Sequence, residues 1–398
     1  VSQQRMSRTH RPDVLVAGGG IVGAASALAL AKTGLHVTLI EGCEPPRWQA
    51  TVPDVRVYAC APDSAALLHT LGVWPAVRAT RAPAYHRMRI WDSGGGGELC
   101  FDAATLGREQ LGWIVENTLL VNQLWAGLAE AGVHLHCPAR ITALEQDTDS
   151  VRLRLEDGRR LEARLAIAAD GADSTLRQLA HLPVHRHDYA QQGIVAFVAT
   201  EYPHEATAWQ RFLPTGPLAF LPFTDERSSI VWTLPDAEAE RVLALDETAF
   251  ARELTAAFGG RLGQVEVVSP RTAFPLRRQL ATDYIAGRVL TLGDAAHVVH
   301  PLAGQGVNLG LRDVAALQAL IQQAQTRRAD WAAPHRLQRW ARQRRSDNTL
   351  AAYTFDAINR VFSNDTFHLT LLRGAALGLV DRLPPLVHAL WRRASGMQ

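Results

Sequence analysis

The sequence predicts an α/β chain: a parallel sheet that accepts an inserted mixed sheet and is followed by C-terminal helices. Three observations lead there. Near the N-terminus an apolar strand runs through a glycine turn into an alanine-rich helix. The same passage from strand to turn to helix returns near residues 165 and 288. Outside those units, residues 85–91, 193–200 and 228–234 alternate apolar and polar side chains with the period of two that marks a strand.

The first unit is the most complete. Residues 13–17 read as a buried strand and are followed by Gly18-Gly19-Gly20-Ile-Val-Gly23. Residues 24–32 are rich in alanine and leucine and therefore helical, with Thr33-Gly34 as the stop signal. Residues 36–40 form a second strand that ends in Glu41, 18 positions past Gly23. This is a Rossmann-type βαβ unit with G-x-G-x-x-G at its turn. Gly18 permits the tight turn, Gly20 lets the backbone approach a pyrophosphate, and Gly23 lets helix pack on strand. Glu41 is placed to accept hydrogen bonds from a ribose diol. A purely structural turn is the competing reading of a bare glycine motif, and the motif does not separate FAD from NAD.

The second unit is a strand over 165–169 that closes on Asp170-Gly171-Ala172-Asp173-Ser174 before a helix beginning at Thr175. Taken alone, Asp170-Gly171 is a turn, and Asp173 or Ser174 a helix N-cap. The third unit is a strand over 288–292 that ends at Gly293-Asp294. A loop rich in proline and glycine follows, and then a helix from Gly306. A glycine loop feeding a helix N-terminus leaves backbone N–H groups free in one place, which suits an anionic ligand.

Composition sets the outer bounds. At 398 residues, with 47% hydrophobic and 20% charged residues, the chain can build a large core in two or three domains. A net charge of +2 argues against a dedicated nucleic-acid binder, and Lys32 is the only lysine beside many arginines. Cys43, Cys60, Cys100 and Cys137 are scattered and read as reduced thiols of an intracellular protein. Residues 1–13 lack the apolar stretch of a signal peptide. No run of about 20 apolar residues appears, so a spanning helix is not expected.

The order of these motifs resembles that of the single-component (group A) flavoprotein monooxygenases, whose fold is that of para-hydroxybenzoate hydroxylase. The block from His300 to Asp313 (His-Pro-Leu-Ala-Gly-Gln-Gly-Val-Asn-Leu-Gly-Leu-Arg-Asp) is similar to the signature of the ubiquinone-biosynthesis hydroxylases (the UbiH, UbiF, UbiI, VisC and COQ6 group). Asp54-Val-Arg-Val-Tyr-Ala59, Ala66–Trp74, Val115-Glu-Asn117 and Leu379–Leu386 fit the same group. Val307 and Thr118 depart from it, where an aromatic and a basic residue are usual.

That resemblance implies FAD as cofactor and NAD(P)H as co-substrate. Gly18, Gly20 and Gly23 would flank the FAD pyrophosphate, and Glu41 would hold the adenosine ribose. Arg56 would lie near the phosphates or the flavin edge. Asp294 would bond the ribityl or pyrophosphate region, and Asp170 belongs to a motif tied to both FAD and NAD(P)H. The backbone from Pro301 through Gly304, Gln305, Gly306, Val307 and Asn308 would line the flavin ring. The implied reaction passes one atom of O2 to a polyprenyl phenol through a flavin C4a-hydroperoxide. No side chain is assigned as catalytic beyond the ring-facing Pro301, Gly304 and Gln305, and no metal is expected. His297 and His300 have no carboxylate or cysteine partner at ligand spacing in sequence. His300 reads as packing or bonding its loop.

The cofactor-binding domain is expected over 1–80, 102–184 and 272–345, the substrate domain over 81–101 and 185–271, and a helical segment over 346–398. Residues 214–223, apolar and proline-rich, suit the wall of a hydrophobic aromatic site or, equally, a proline-bounded edge strand. Residues 94–97 read as a glycine hairpin tip. His134/His136 and His185/His187 read as surface or structural, and 238–240 as a solvated helix face. Residues 331–347 are basic and 368–391 apolar with breaks, a pattern open to core packing, to a partner or to peripheral membrane contact. The expected setting is cytoplasmic, at or near the inner membrane face. Association with other ubiquinone-biosynthesis proteins and homo-oligomerisation stay open. The alternatives are a hydroxylase of another hydrophobic aromatic and a non-catalytic flavin-binding subunit. A flavin-dependent halogenase would carry a W-x-W-x-I-P run, absent here, and a plain NAD-dependent dehydrogenase leaves the Gly-Asp block unexplained.

Overall fold

A computed structural model describes residues 11–94, 97–300 and 305–362. The strand Val14–Ala17 sits at the centre of a six-stranded sheet. It pairs in parallel with Leu165–Ala168 on one side and Val37–Ile40 on the other. His134–His136 extends the parallel sheet beyond Val37–Ile40, and Val289–Thr291 beyond Leu165–Ala168; Ile285–Ala286 closes that edge as an antiparallel hairpin. The three units seen in the sequence are therefore neighbours: their strands are adjacent, and the turns after them open at the same end of the sheet. That is where α/β sheets place ligands.

The central strands are fully buried because helices cover them. The Ile21–Ala31 helix packs between Asn117–Glu130 and Gln305–Thr326. The last contact is close: a Cβ added at Gly310 would stand 2.5 Å from Val22 Cγ2, so the helix carrying the His300–Asp313 block rides directly on the fingerprint helix.

The inserted sheet has nine strands. Val184–Thr200 pairs with Arg227–Pro235 and Thr272–Ala281, and the hairpin Thr207–Leu213/Gly216–Pro222 continues it to Arg87–Asp92 and Glu98–Asp102. The Thr207–Leu213 and Arg87–Asp92 pair is parallel within an otherwise antiparallel order, so the sheet is mixed, as expected. One face packs on the helices Asp236–Leu243 and Glu247–Phe258 through Ile194, Leu218, Phe220, Trp232 and Phe250. The other face looks toward the parallel sheet. Arg87–Asp92 and Glu98–Asp102 pair as an antiparallel hairpin, and of the expected tip over 94–97, residues 95 and 96 lie outside the described residues.

Thr272–Ala281 pairs with Val184–Thr200 over most of its length and so joins the inserted sheet. The Pro334–Phe362 helix runs unbroken through 345/346, because Arg344 and Asn348 on it bond the same buried carboxylate. The apolar 368–391 stretch lies outside the described residues. Among those described, no helix is long and apolar enough to cross a membrane.

Candidate cofactor and substrate cleft

A cleft of about 1060 Å³ runs between the two sheets, larger than the ordinary range for a single small ligand. Gly18, Gly20, Glu41, Arg56, Asp170, Asp294, Gly306 and Val307 all line it. Residues from three separate parts of the chain thus converge as expected. Pro301 and Gly304 lie outside the described residues, and Gln305 opens the Gln305–Thr326 helix.

The fingerprint glycines divide into two kinds. Gly18 has a left-handed φ of 100°, and a Cβ there would stand 2.3 Å from the Ala169 carbonyl. A Cβ at Gly23 would stand 2.0 Å from the Gly18 carbonyl, so Gly23 lets the helix sit on its own entry turn and does not itself line the cleft. Gly20 meets nothing within 4 Å. Its backbone faces open space at the N-terminus of the Ile21–Ala31 helix, where free N–H groups and the helix dipole favour a phosphate. The middle glycine, to which no role was assigned, is also constrained. A Cβ on Gly19 would meet the Trp125 ring at 2.5 Å, while Trp125 Nε1 donates to the Gly19 carbonyl at 2.7 Å.

Glu41 accepts from Gly19 N–H with one carboxylate oxygen and from Cys43 N–H at 3.0 Å with the other. It holds the glycine turn from the side and keeps lone pairs toward the cleft, where a ribose diol would donate. Asp170 is engaged by Ser174 Oγ and by Leu176 N–H at 3.1 Å. Ser174, not Asp173, is the N-cap of Thr175–Leu179, accepting from Arg177 N–H at 2.9 Å. Asp173 instead pairs with Arg186 and Arg277, and Arg277 lines the cleft. Each oxygen of the Asp170 carboxylate thus takes one bond at the entry to that helix.

Asp294 follows the buried Gly293 turn and is open to solvent inside the cleft while protein surrounds it on the other sides. That enclosure raises its pKa by desolvation, with His297 and Arg277 pulling the other way. Opposite it stands Tyr58, its hydroxyl pushed up to about 12 first by burial and then by the Asp294 charge. Tyr58 and Asn117 line the cleft, and their hydroxyl and carboxamide meet at 3.4 Å. Both belong to motifs already visible in the sequence. Arg140, Ile141, Thr142 and Glu156 at the far end carry no sequence signal of their own.

The Asn308 side chain has a task of its own. It is fully buried and faces away from the cleft, donating to the Ala59 carbonyl and accepting from Ala61 N–H, both at 2.9 Å. It fastens the signature helix to the end of Val57–Cys60. The fold brings His297 the carboxylate that its sequence neighbours lack, Asp313. His300 packs edge-on to Tyr189 at 5.2 Å, its pKa lowered to about 4 by burial despite the nearby Asp356. Among the described residues, no group of three or more His, Cys, Asp or Glu side chains could hold a metal.

The sheet side of the cleft is mostly apolar, through Val195, Leu221, Val231, Phe274 and Leu276, with Ser229, Thr272 and Arg277 among them. Of residues 214–223 only Leu221 reaches it. Gly216–Pro222 is an interior strand, paired on both sides, and its alternation sends Leu218 and Phe220 to the opposite face. A dinucleotide carrying a flat ring fits this arrangement. There is an open glycine turn for phosphate, a carboxylate for ribose, and the first turn of Gln305–Thr326 at Gly306 and Val307 for negative charge on the ring.

The chain matches a family model described as FAD binding domain over residues 11–349. It is 38% identical over 392 residues to the 3-demethoxyubiquinol 3-hydroxylase of Escherichia coli (strain K12), covering 98% of this chain and 100% of that protein. It is 39% identical over 385 residues to the ubiquinone hydroxylase UbiL of Rhodospirillum rubrum, covering 96% and 89%. Among solved structures, p-nitrophenol 4-monooxygenase PnpA from Pseudomonas putida DLL-E4 aligns with a TM-score of 0.78 at 19% identity, over 98% of this chain and 99% of that one. At that identity the likeness speaks for the fold alone.

Proposed function

Since the chain belongs to the FAD-binding-domain family, and within it to the ubiquinone-biosynthesis hydroxylases, we propose that it hydroxylates the aromatic ring of a polyprenyl phenol on the route to ubiquinone, using FAD, NAD(P)H and O2. The observation that supports this most is the end-to-end identity with a 3-demethoxyubiquinol 3-hydroxylase, in a chain whose motif residues converge on one cleft.

FAD, when bound, supplies the chemistry: it accepts hydride from NAD(P)H and activates O2. The chain's own residues bind, orient and exclude water. Gly18 and Gly20 would admit the pyrophosphate to the helix N-terminus, and Glu41 would take the ribose. The N–H groups of the first turn of Gln305–Thr326 favour negative charge on the ring without a side-chain acid. Asp294, its proton held more tightly than an ordinary carboxyl, would bond a hydroxyl beside the phosphates. Val195, Leu221, Val231 and Phe274 exclude water from the ring side and match a hydrophobic phenol.

The test is NAD(P)H oxidation by purified, FAD-loaded protein with and without a short-chain prenylated phenol, with the product analysed by mass. Stimulated oxidation and a product heavier by one oxygen atom are expected. No stimulation and no hydroxylated product, across the ring-substitution series of ubiquinone precursors, would remove the assignment. Deletion of the gene and identification of the accumulating precursor would then assign the ring position.

A further inference from the structure

The segment from 42 to 55 is a long connection with an unusual set of anchors. Both its ends line the cleft, Gly42 and Cys43 at one and Val55 at the other, with Arg56 next in the chain. It has no helix or strand, and among the described residues no backbone–backbone hydrogen bond ties any part of it. Side chains from outside hold it instead, and they converge on Glu116.

Glu116 has no exposure, yet it stands in the Val115-Glu-Asn117 motif at the start of the Asn117–Glu130 helix. Its carboxylate accepts from Trp48 Nε1 at 3.1 Å and from Asp54 N–H at 2.8 Å, and it pairs with Arg81 at 3.3 Å. Arg81 donates onward to the Ala50 carbonyl and lies 5.3 Å over the Trp48 ring. One turn along the helix, Asn122 accepts from Trp48 N–H at 2.7 Å and donates to the Pro46 carbonyl at 2.6 Å. Asp54 in turn accepts from Arg56 N–H at 3.0 Å and sets the entry to the strand bearing Arg56 and Tyr58.

A segment fastened through side-chain hydrogen bonds, with no backbone ladder of its own, opens without breaking any helix or sheet. A buried carboxylate bonded to three donors is a strong latch while intact, and a weak one once its charge is lost. We propose that residues 42–55 form a strap that opens to admit and release FAD, and that Glu116 is the latch positioning it. The proposal rests on the FAD reading of the cleft.

Glu116→Gln tests it, because the amide keeps the shape but turns an N–H toward donors. Two readouts are taken on full-length protein. The first is the rate at which flavin fluorescence recovers on dilution of the holoprotein, which reports FAD release. The second is trypsin cleavage after Arg47, followed as the N-terminal fragment ending there, with and without FAD. In the variant we expect both to rise by roughly tenfold or more, with FAD suppressing the cleavage. Unchanged release with faster cleavage would show a strap that moves but does not gate the cofactor, and would overturn the proposal. No change in either would overturn the latch. Should Glu116→Gln fail to fold, Asn122→Ala, which removes the Trp48 and Pro46 anchors, is held to the same two readouts and the same outcomes. Wild-type protein that refuses FAD altogether would instead strike the cofactor reading, a separate result.

Discussion

His297 Nε2 lies 2.6 Å from Asp313 Oδ2, with neither side chain exposed. The same carboxylate accepts from Gly293 N–H at 3.2 Å, from Arg344 Nε at 2.8 Å and from Asn348 Nδ2 at 2.9 Å. One buried charge thus ties the Gly293-Asp294 turn, the signature helix and the Pro334–Phe362 helix together. Asp313→Asn would leave Arg344 buried without that partner. Removing one member of a buried pair costs about 3–5 kcal/mol, so a large fall in the urea midpoint is expected. A midpoint equal to wild type would deny the network its structural weight.

The same site fixes the acid limb of stability. Burial pushes the Asp313 carboxyl up, but His297, Arg344 and Asn348 together outweigh it and hold it down at about 2, against an ordinary 3.8. A group depressed in the folded state contributes stability that is complete above its unfolded value and lost as pH falls through the folded one. The window is therefore about pH 4 down to 2, and the contribution on the order of 2 kcal/mol. Urea midpoints measured from pH 5 to pH 2 should fall for wild type and flatten across that window in Asp313→Asn. Parallel curves for the two proteins would show that the carboxyl titrates elsewhere.

Asp294 runs opposite in sign, since enclosure raises its pKa. Its charge is unfavourable in the empty fold at neutral pH, so it is not there for stability. Asp294→Ala should leave far-UV circular dichroism unchanged while the purified protein loses most of its yellow flavin absorbance. Full flavin content in that variant would contradict the role given to the carboxylate.

How much of this was legible in the sequence depended on whether a residue acts through its neighbours in the chain. The strand–turn–helix units were readable because apolar runs, glycine turns and caps are local, and they placed Gly18, Gly20, Glu41, Asp170 and Asp294 in one cleft. The pairing of Thr272–Ala281 was not legible because a strand's sheet is decided by its pairing partner, here more than 70 residues away. The apolar 214–223 stretch left two readings open for a related reason: alternation shows that a strand has two faces, not which one meets the ligand. The sequence offered a role for the Asn308 backbone but none for its side chain, which is spent on Ala59 and Ala61. Arg344 gave no local signal at all, and Glu116 gave one only as part of a motif, since a buried charge is recognised by the partner that the fold delivers.

Gly20 and Gly23 look alike in the motif and should behave oppositely. A methyl at Gly23 must displace the Gly18 carbonyl from 2.0 Å, and backbone at that place cannot yield without moving the sheet end. Overpacking of that kind costs about 1–3 kcal/mol, so apo Gly23→Ala should unfold at clearly lower urea. A methyl at Gly20 meets nothing within 4 Å, so apo Gly20→Ala should match wild type within about 0.5 kcal/mol. The space it fills is the space a pyrophosphate would occupy. FAD affinity by fluorescence quenching should therefore weaken by roughly tenfold or more in Gly20→Ala, a loss of about 1.4 kcal/mol. If Gly20→Ala bound FAD as tightly as wild type, the phosphate could not approach at that turn, and the glycine would be there for folding alone.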